Sequence, residues 1–215
     1  MALGIQRSHL GHCPSREGFA VYVQLQPSRE ARRRGARRLG WKIATPARRH
    51  FSRGLLFAYL TNDTVTEPDG TYDAGAHVAL HAEATLALQV GAQGRIAGYA
   101  AALELVDFVD VSRPRTELLS ADLGHRAVSF GPTRPRLSAV DGRLLINGHL
   151  RAGAFLEGGY VDLLTQLSDG LSAKGESLLR GDWVLSGPIV RAPVWPGDHI
   201  VADLGPLGHA AIVIA

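Results

Sequence analysis

Apolar and polar residues alternate along much of the chain, and this pattern predicts a protein built mainly of short strands. Between residues 78 and 90 the apolar residues fall on every second position, which is typical of a strand with one buried face. The segment 98–111 is apolar at most positions and fits a helix or a strand equally well. Shorter apolar runs also favour strands, at residues 39–45, 55–60, 183–185, 200–204 and 210–214.

Two segments favour helices. In residues 160–179, Tyr160, Leu164, Leu167 and Leu171 recur at helical spacing, so we expect an amphipathic helix that packs on the sheet. Residues 18–38 also favour helical structure, which Pro27 would divide in two. The dipeptides at 141–142 (Asp-Gly) and 147–148 (Asn-Gly) predict hairpin turns. The predicted fold class is therefore α+β, with β structure dominant.

A chain of 215 residues with neither a repeat nor a low-complexity linker predicts one domain, over residues 18–215, after a loosely ordered leader over residues 1–17. The single cysteine, Cys13, excludes internal disulfides. No apolar run reaches the roughly 18–20 residues that cross a bilayer, and the N-terminus lacks the pattern of a secretory signal. We expect a cytoplasmic protein that contacts no membrane.

Positive charge is concentrated near the N-terminus. Residues 1–53 contain eleven arginines and Lys42 against Glu17 and Glu30, whereas the whole chain has a net charge of +3. The arginine-rich stretch 28–38 has two interpretations, a phosphate-binding stripe or a solvated helix face capped by Ser28. It lacks the interleaved aromatic residues of single-strand binders, so we predict no nucleic-acid partner.

Three residues in the central apolar runs could hold a metal ion. His81 and Glu83 are two positions apart in a predicted strand, so they project from the same face. Glu104 has apolar neighbours on both sides, where a buried charge needs a partner. That partner is either a divalent cation or one of the many arginines, and the residues alone leave both open.

Several separated motifs occur in an order that resembles one known family. They are Gly40-Trp-Lys42-Ile, Gly54-Leu-Leu-Phe57-Ala, Leu80-His81-Ala82-Glu83, Ala102-Leu103-Glu104-Leu105-Val106, Ala121-Asp122-Leu-Gly and the Gly-Asp segments that begin at Gly181 and Gly197. Together they resemble the 2-keto-4-pentenoate hydratase and 4-oxalocrotonate decarboxylase group of the fumarylacetoacetate hydrolase superfamily. The resemblance covers residues 18–215 and implies a mixed β-sandwich roll with a few packed helices.

The resemblance implies a divalent metal, Mg²⁺ or Mn²⁺, held by His81, Glu83 and Glu104. His81 stands where the group has a carboxylate, and imidazole suits a softer ion such as Fe²⁺, Co²⁺ or Zn²⁺. A softer metal is therefore a second possibility.

The resemblance also assigns the remaining site residues. Lys42 is implied as the residue that transfers a proton, and it is one of two lysines among 23 basic residues. The substrate-binding residues implied by the resemblance are Asp122, Leu123 and Ser186.

The implied activity is that of a hydratase-type lyase, which acts on a small 2-hydroxydienoate or 2-oxo acid through a metal-stabilised enolate. The chain departs from the pattern of the group at Ser52, Phe108 and Leu123. Two alternatives therefore stay open. One is another enol-type reaction, such as tautomerisation, decarboxylation or cyclisation, and the other is a non-catalytic relative that binds a partner protein. We expect a homo-oligomer, or a complex with a related pathway enzyme.

Overall fold

The computed structural model describes residues 22–23, 35–44, 56–75, 79–107, 122–139 and 141–215. Within these ranges the chain forms twelve strands and one α-helix, α1 (Tyr160–Ser172). The strands are β1 (Tyr22–Val23), β2 (Arg38–Ala44), β3 (Leu56–Thr61), β4 (Gly70–Tyr72), β5 (Leu80–Val90), β6 (Ile96–Asp107), β7 (His125–Phe130), β8 (Asp141–Ile146), β9 (His149–Phe155), β10 (Trp183–Pro193), β11 (His199–Asp203) and β12 (His209–Ile214).

The strands form two mixed sheets. The large sheet has seven strands in the order β1-β3-β2-β10-β5-β6-β7, and the small sheet has five in the order β4-β12-β11-β8-β9. In the large sheet β10 runs parallel to β2 and antiparallel to β5, so it joins the N-terminal strands to the central hairpin of β5 and β6. The predicted α+β class with dominant β structure is confirmed.

One face of the large sheet, which we call the packed face, is covered by α1 and by the small sheet. Leu88 of β5 packs in one cluster with Leu167 of α1, and Leu103 of β6 packs in another with Ile200 of β11. All four side chains are fully buried. Each such leucine or isoleucine stabilises the fold by about 1.5–3 kcal/mol relative to an exposed side chain.

The strand predictions are confirmed in the described residues, and residues 98–107 of the ambiguous segment 98–111 lie in the strand β6, the rest being outside the described residues. The helical prediction for residues 18–38 is wrong where the structure describes this segment. Tyr22–Val23 is a strand that pairs with β3, and Arg38 begins β2. Pairing within the sheet overrides the local preference for a helix. The leader predicted over residues 1–17 lies outside the described residues.

The two predicted hairpin turns have different outcomes. Asn147 and Gly148 connect β8 to β9 with φ of 53° and 76°, the left-handed values that such a tight turn requires. Gly142, in contrast, lies inside β8, so the turn predicted at 141–142 is wrong. A Cβ atom at Gly142 would lie 2.9 Å from Cδ1 of Ile189, so any larger residue would force the Ile189 side chain to shift, and glycine allows the close approach of this strand to β10.

The helix α1 confirms the predicted amphipathic helix but ends earlier than expected, at Ser172. Gly175 adopts a left-handed φ of 73°, and the amide of Glu176 donates to the carbonyl of Leu171 at 3.0 Å. This glycine-based arrangement satisfies the last carbonyls of a helix and terminates it. In the described part of the chain, no helix has the length and apolar character needed to cross a membrane.

Candidate active site

A row of charged side chains crosses the large sheet on the face opposite the packed face, which we call the site face. Arg191 of β10 is the register partner of Glu83 of β5, and Glu83 is the register partner of Glu104 of β6. Register partners project from the same face of a sheet, so the three side chains lie side by side. Lys42 of β2 also belongs to this face, because the residues on either side of it pack into the core of the opposite face.

An irregular stretch of β10 positions Arg191 in this row. The register between β10 and β5 shifts on both sides of Pro188, so six steps along β10 from Leu185 to Arg191 match four steps along β5. Two extra residues preserve the side of the strand on which a side chain projects, whereas one would reverse it. Thr85 holds the irregular stretch, since its hydroxyl donates to the carbonyl of Gly187 at 2.7 Å.

Glu104 is fully buried and is surrounded by positive charge. Its Oε1 atom lies 2.6 Å from Lys42 Nζ and 2.8 Å from His125 Nδ1. Burial alone would raise the pKa of Glu104, but the Lys42 ammonium and the His125 hydrogen bond outweigh burial and lower it. Glu104 is therefore held as an ionised carboxylate inside the protein.

His125, at the start of β7, is fixed on both sides of its ring. Its Nε2 atom lies 2.9 Å from Thr64 Oγ1, and the Thr64 hydroxyl donates its hydrogen to the carbonyl of Thr61 at 2.9 Å. The Thr64 hydroxyl thus contacts both the His125 ring and the Thr61 carbonyl, and the ionised Glu104 carboxylate accepts from Nδ1. Both ring nitrogens of His125 are therefore within hydrogen-bond distance of a fixed partner.

Glu83 differs from Glu104 although the two are adjacent. Burial raises the pKa of Glu83, and the Glu104 charge raises it further, against the opposing effects of Lys42 and Arg191. Arg191 Nη2 lies 2.7 Å from Glu83 Oε1, and its side chain is 40% exposed, so this residue connects the buried row to solvent. Two neighbouring carboxyl groups whose pKa values are shifted in opposite directions are typical of acid–base sites.

Solved structures share this arrangement of strands at low sequence identity. The 4-oxalocrotonate decarboxylase of Pseudomonas putida G7, complexed with magnesium and adipate, matches with a TM-score of 0.80 and 16% identity, over 89% of this chain and 83% of that one. Fumarylpyruvate hydrolase from Pseudomonas aeruginosa, in complex with Mn²⁺ and pyruvate, has a TM-score of 0.59 and 15% identity, over 95% and 99%. A protein of the fumarylacetoacetate hydrolase family from Yersinia pestis CO92 has a TM-score of 0.59 and 18% identity, over 81% and 91%. The chain has the fold of the fumarylacetoacetate hydrolase superfamily.

No protein-family model matches the sequence, and the search of curated proteins gives no significant match. The fold that the resemblance implied is confirmed by these structures. At these identities the likeness establishes the architecture of a fumarylacetoacetate hydrolase fold, and the chemistry has to be argued from the residues of this chain.

Two of the three predicted metal ligands come together on this fold. Glu83 and Glu104 are adjacent, and Glu104 Oε2 is buried without a hydrogen-bond partner. A cation would satisfy such an orphaned oxygen, and two carboxylates fit the preference of hard divalent ions. The third predicted ligand, His81, is partly exposed, and its Nδ1 atom lies 3.0 Å from the carbonyl of Ala79. Across the described ranges, no group of three or more His, Cys, Asp or Glu side chains is arranged to hold an ion.

The predicted substrate-binding residues lie at two other places. Leu123 has a left-handed φ of 55°, and its carbonyl oxygen lies 3.4 Å from Lys42 Nζ, so the backbone of this residue reaches the site. The side chain of Asp122 lies outside the described residues, as do Ser52 and Phe108. Ser186 lies in the irregular stretch of β10 directly after Leu185, the register partner of Lys42. The roles assigned to Asp122, Leu123 and Ser186 stay predictions.

Sequence reasoning missed three residues of the site, namely Thr64, His125 and Arg191. Alternation alone assigned a face to Glu83, but it carries no information about which distant strand lies beside β5. His125 directly follows the Ala-Asp-Leu-Gly motif, and this position was the one available signal. Arg191 was hidden by the two extra residues of β10, which break the period of the strand.

Proposed function

We propose that the protein is a diverged member of the fumarylacetoacetate hydrolase superfamily that catalyses an enol-type reaction on a small 2-oxo or 2-hydroxy acid. The observation that supports it is the buried row on the site face, where the ionised carboxylate of Glu104 lies beside Glu83 and contacts Lys42. A structural core rarely holds three ionisable side chains at this depth, because each costs free energy unless it is paired. Perturbed groups of this kind favour a catalytic role.

Arg191 is the residue that we propose to bind the carboxylate of the substrate. Its guanidinium is partly exposed while its partner Glu83 is buried, so an incoming anion meets Arg191 first. A guanidinium forms two parallel hydrogen bonds with a carboxylate, which orients the rest of the acid. The 2-oxo group then lies toward the buried part of the row.

Lys42 transfers the proton in this proposal. Its ammonium is buried against Glu104, and the carbonyl of Leu123 provides a second acceptor, so Nζ is held in one place. Lysine can change its protonation state when buried, whereas arginine essentially cannot. The proton leaves or joins the carbon beside the 2-oxo group, and Glu104 stabilises the ammonium form.

A divalent ion would support the same step. Glu83 and Glu104 would hold it, with His81 proposed as the third ligand, and the ion would act as a Lewis acid toward the 2-oxygen of the substrate. Mg²⁺ and Mn²⁺ suit the two carboxylates, and the imidazole would favour a softer ion.

Deuterium exchange tests the proposed reaction without requiring the natural substrate. Pyruvate or 2-oxobutanoate is incubated with the protein in D₂O with Mg²⁺ or Mn²⁺, and loss of the C3 proton signal is followed by NMR. We expect exchange well above the protein-free rate, and Lys42→Met to reduce it by about 10²–10⁴-fold, the usual contribution of a general acid–base group. The control is Lys174→Met, which removes the other, exposed lysine. Undiminished exchange by Lys42→Met, or none by the unchanged protein, would contradict the proposal.

The finer proposal is a hydratase-type lyase. It predicts that 2-hydroxypenta-2,4-dienoate disappears with addition of water, which loss of the dienoate absorbance and mass analysis of the product would detect. A product of unchanged mass would favour tautomerisation, and loss of CO₂ would favour decarboxylation. Either of these results would replace hydration with the alternative enol-type reaction.

One observation favours a second candidate, a non-catalytic relative that binds a partner. Glu83 and Glu104 are each already paired with a cation of the chain, Arg191 and Lys42. Metal analysis separates the two candidates. Stoichiometric metal that is lost in both His81→Ala and Glu104→Ala supports the enzyme, whereas no binding at any metal concentration supports the partner-binding relative.

Association with other chains and a cytoplasmic location are also proposals. The homo-oligomer is supported by two apolar side chains on β9, the last strand of the small sheet, since Leu150 is 63% and Phe155 82% exposed. Light scattering of the purified protein measures the mass directly. A monomer at all concentrations would leave a complex with a related pathway enzyme as the remaining form of this proposal.

A further inference from the structure

A cavity of about 550 Å³ lies between the end of β7 and the start of β12. Phe130 lines it, and this residue is five positions along β7 from His125, or roughly 17 Å of strand. The described residues that line the cavity include none of the charged row on the site face. Its volume lies within the range of small-molecule sites. The cavity is therefore a candidate binding site that is distinct from the candidate active site.

One wall of this cavity is a stretch of β12 whose edge is not paired. The amide of Ala215 donates to the carbonyl of Tyr72 in β4, on the side of β12 away from β11. Amides alternate between the two sides of a strand, so those of His209 and Ala211 also project away from β11. β4 pairs with β12 only from Ile212 onward, and among the described residues neither amide has a hydrogen-bond partner. Ala211 is 2% exposed, and a buried amide is normally paired, so this position favours a ligand that carries an acceptor.

The same edge of β12 offers donors but covers an acceptor. A Cβ atom at Gly131 would lie 2.3 Å from the carbonyl oxygen of His209, so the backbone that follows β7 lies directly against that oxygen. An extended peptide that adds to a strand edge uses both the amides and the carbonyls of the edge. Because the carbonyl of His209 is covered, this edge suits an anion better than a peptide.

A positive charge lies in the same cavity. The backbone of Arg134 is fixed by two hydrogen bonds with Tyr99, amide to carbonyl in both directions at 2.8 Å. The Arg134 side chain lines the cavity and has no ion pair within the part of the chain that the structure describes. A guanidinium in this state can form two parallel hydrogen bonds with a carboxylate.

One negative charge also lines the cavity. The Asp69 side chain is 70% exposed, and its Oδ1 atom lies 3.9 Å from His199 Nε2. Repulsion by this carboxylate grows with the charge of the ligand, so it disfavours a doubly charged anion more than a singly charged one.

We propose that this cavity binds a small monocarboxylic acid with an apolar body. Its carboxylate accepts hydrogen bonds from the Arg134 guanidinium and the Ala211 amide, and its apolar body contacts Phe130 and Pro132, which line the same cavity. The site lies outside the charged row, so the inference does not depend on the proposed function.

Benzoate is the probe, titrated into ¹⁵N-labelled protein at constant ionic strength while the amide resonances of His209 and Ala211 are followed by NMR. We expect both resonances to shift to saturation, and uncharged methyl benzoate to leave them in place. Arg134→Met should weaken benzoate binding about 10–100-fold, the usual loss for a hydrogen bond to a charged group. The matched control is Arg136→Met, at an exposed arginine that does not line the cavity. Asp69→Asn should strengthen binding by about twofold to fivefold, because an exposed opposing charge is removed.

Three results would overturn the inference. They are unchanged affinity in Arg134→Met, equal shifts with methyl benzoate, and tighter binding of inorganic phosphate than of benzoate at the same amides. Arg191→Met separates this site from the candidate active site. Shifts of His209 and Ala211 that persist in that variant support a separate site, and shifts that vanish assign the probe to the charged row and overturn it. Failure of the proposed function is recognised independently, by the absence of pyruvate exchange in the unchanged protein.

Discussion

The two faces of the large sheet are made from the same strands but obey different rules. On the packed face β5 and β6 present apolar side chains such as Leu86 and Leu103, which contact α1 and the small sheet. On the site face the intervening residues include small apolar ones such as Ala87 and Ala102, but also Glu83 and Glu104, which are as deeply buried as the leucines. The apolar face is stabilised by removal of area from water, whereas the charged face is tolerated only because each charge has a partner.

This difference has a consequence for substitutions. A leucine of the packed face can be replaced at a cost set by the space it leaves, with little dependence on other residues. A charge of the site face is coupled to its neighbours, so removal of one partner leaves the other buried and uncompensated. The two faces should therefore respond differently to single and double substitutions.

The largest expected effect is on the site face. Lys42→Met should destabilise the protein by about 4 kcal/mol, because Glu104 would keep a buried charge with His125 as its remaining contact. Lys42→Met combined with Glu104→Leu should be less destabilised than the single Lys42 variant, since the uncompensated charge is gone. Urea unfolding of both variants and of Glu104→Leu measures the coupling.

Lys174→Met is the control for loss of a lysine, and its stability should be within about 0.5 kcal/mol of the unchanged protein, as for other exposed sites. Additive effects of the Lys42 and Glu104 substitutions would show that the two charges are not coupled. The contrast between the faces would then be wrong.

A smaller effect is expected on the packed face. Leu103 is fully buried, so Leu103→Ala should cost about 3 kcal/mol through lost burial and the cavity that remains. The folded fraction should still exchange the C3 proton of pyruvate at the rate of the unchanged protein, because the cavity opens on the opposite side of the sheet from Lys42. If the exchange rate of Leu103→Ala falls by more than its unfolded fraction explains, the two faces are not independent.

Much of the fold could be predicted because its signals are local. The alternation around Glu83 identified both the strand β5 and the face on which the charge lies, and Asn147-Gly148 identified a tight turn from two residues. Gly142 shows the limit of such signals. Its Asp-Gly dipeptide has the composition of a hairpin turn but lies inside β8. There the glycine lies against Ile189, a residue more than forty positions away in the chain.

The partners in the site could not be predicted, because they depend on pairing between distant strands. The residues alone left Glu104 between a metal and an arginine; the structure places Lys42 and His125 against it, so the cations of this chain that pair with it are not arginines, and the metal stays a proposal. Arginine does enter the site, but at Glu83 through Arg191. Sequence patterns identify which charges need partners, and the order of strands in the sheet decides which partner each one receives.

The smallest effect is a dependence of stability on pH that only the site face should show. The pKa of Glu104 is lowered on folding, so its contribution is present above the unfolded value of about 4.3 and is lost as pH falls through the folded pKa. The pKa of Glu83 is raised on folding, so its contribution is present below that unfolded value and is lost as pH rises through the folded pKa.

Urea unfolding as a function of pH tests these opposite signs. The stability of the unchanged protein relative to Glu104→Gln should increase as pH rises through the acid range, and its stability relative to Glu83→Gln should decrease as pH rises above about 4.3, each by at most about 1.4 kcal/mol per pH unit. The free energy of unfolding of Leu103→Ala should differ from that of the unchanged protein by the same amount at every pH, because a leucine binds no proton. If the stability curves of all three variants run parallel to that of the unchanged protein, the electrostatic difference between the two faces does not exist. A buried carboxylate whose proton affinity does not change on folding would then behave like the apolar residue on the other side of its own strand.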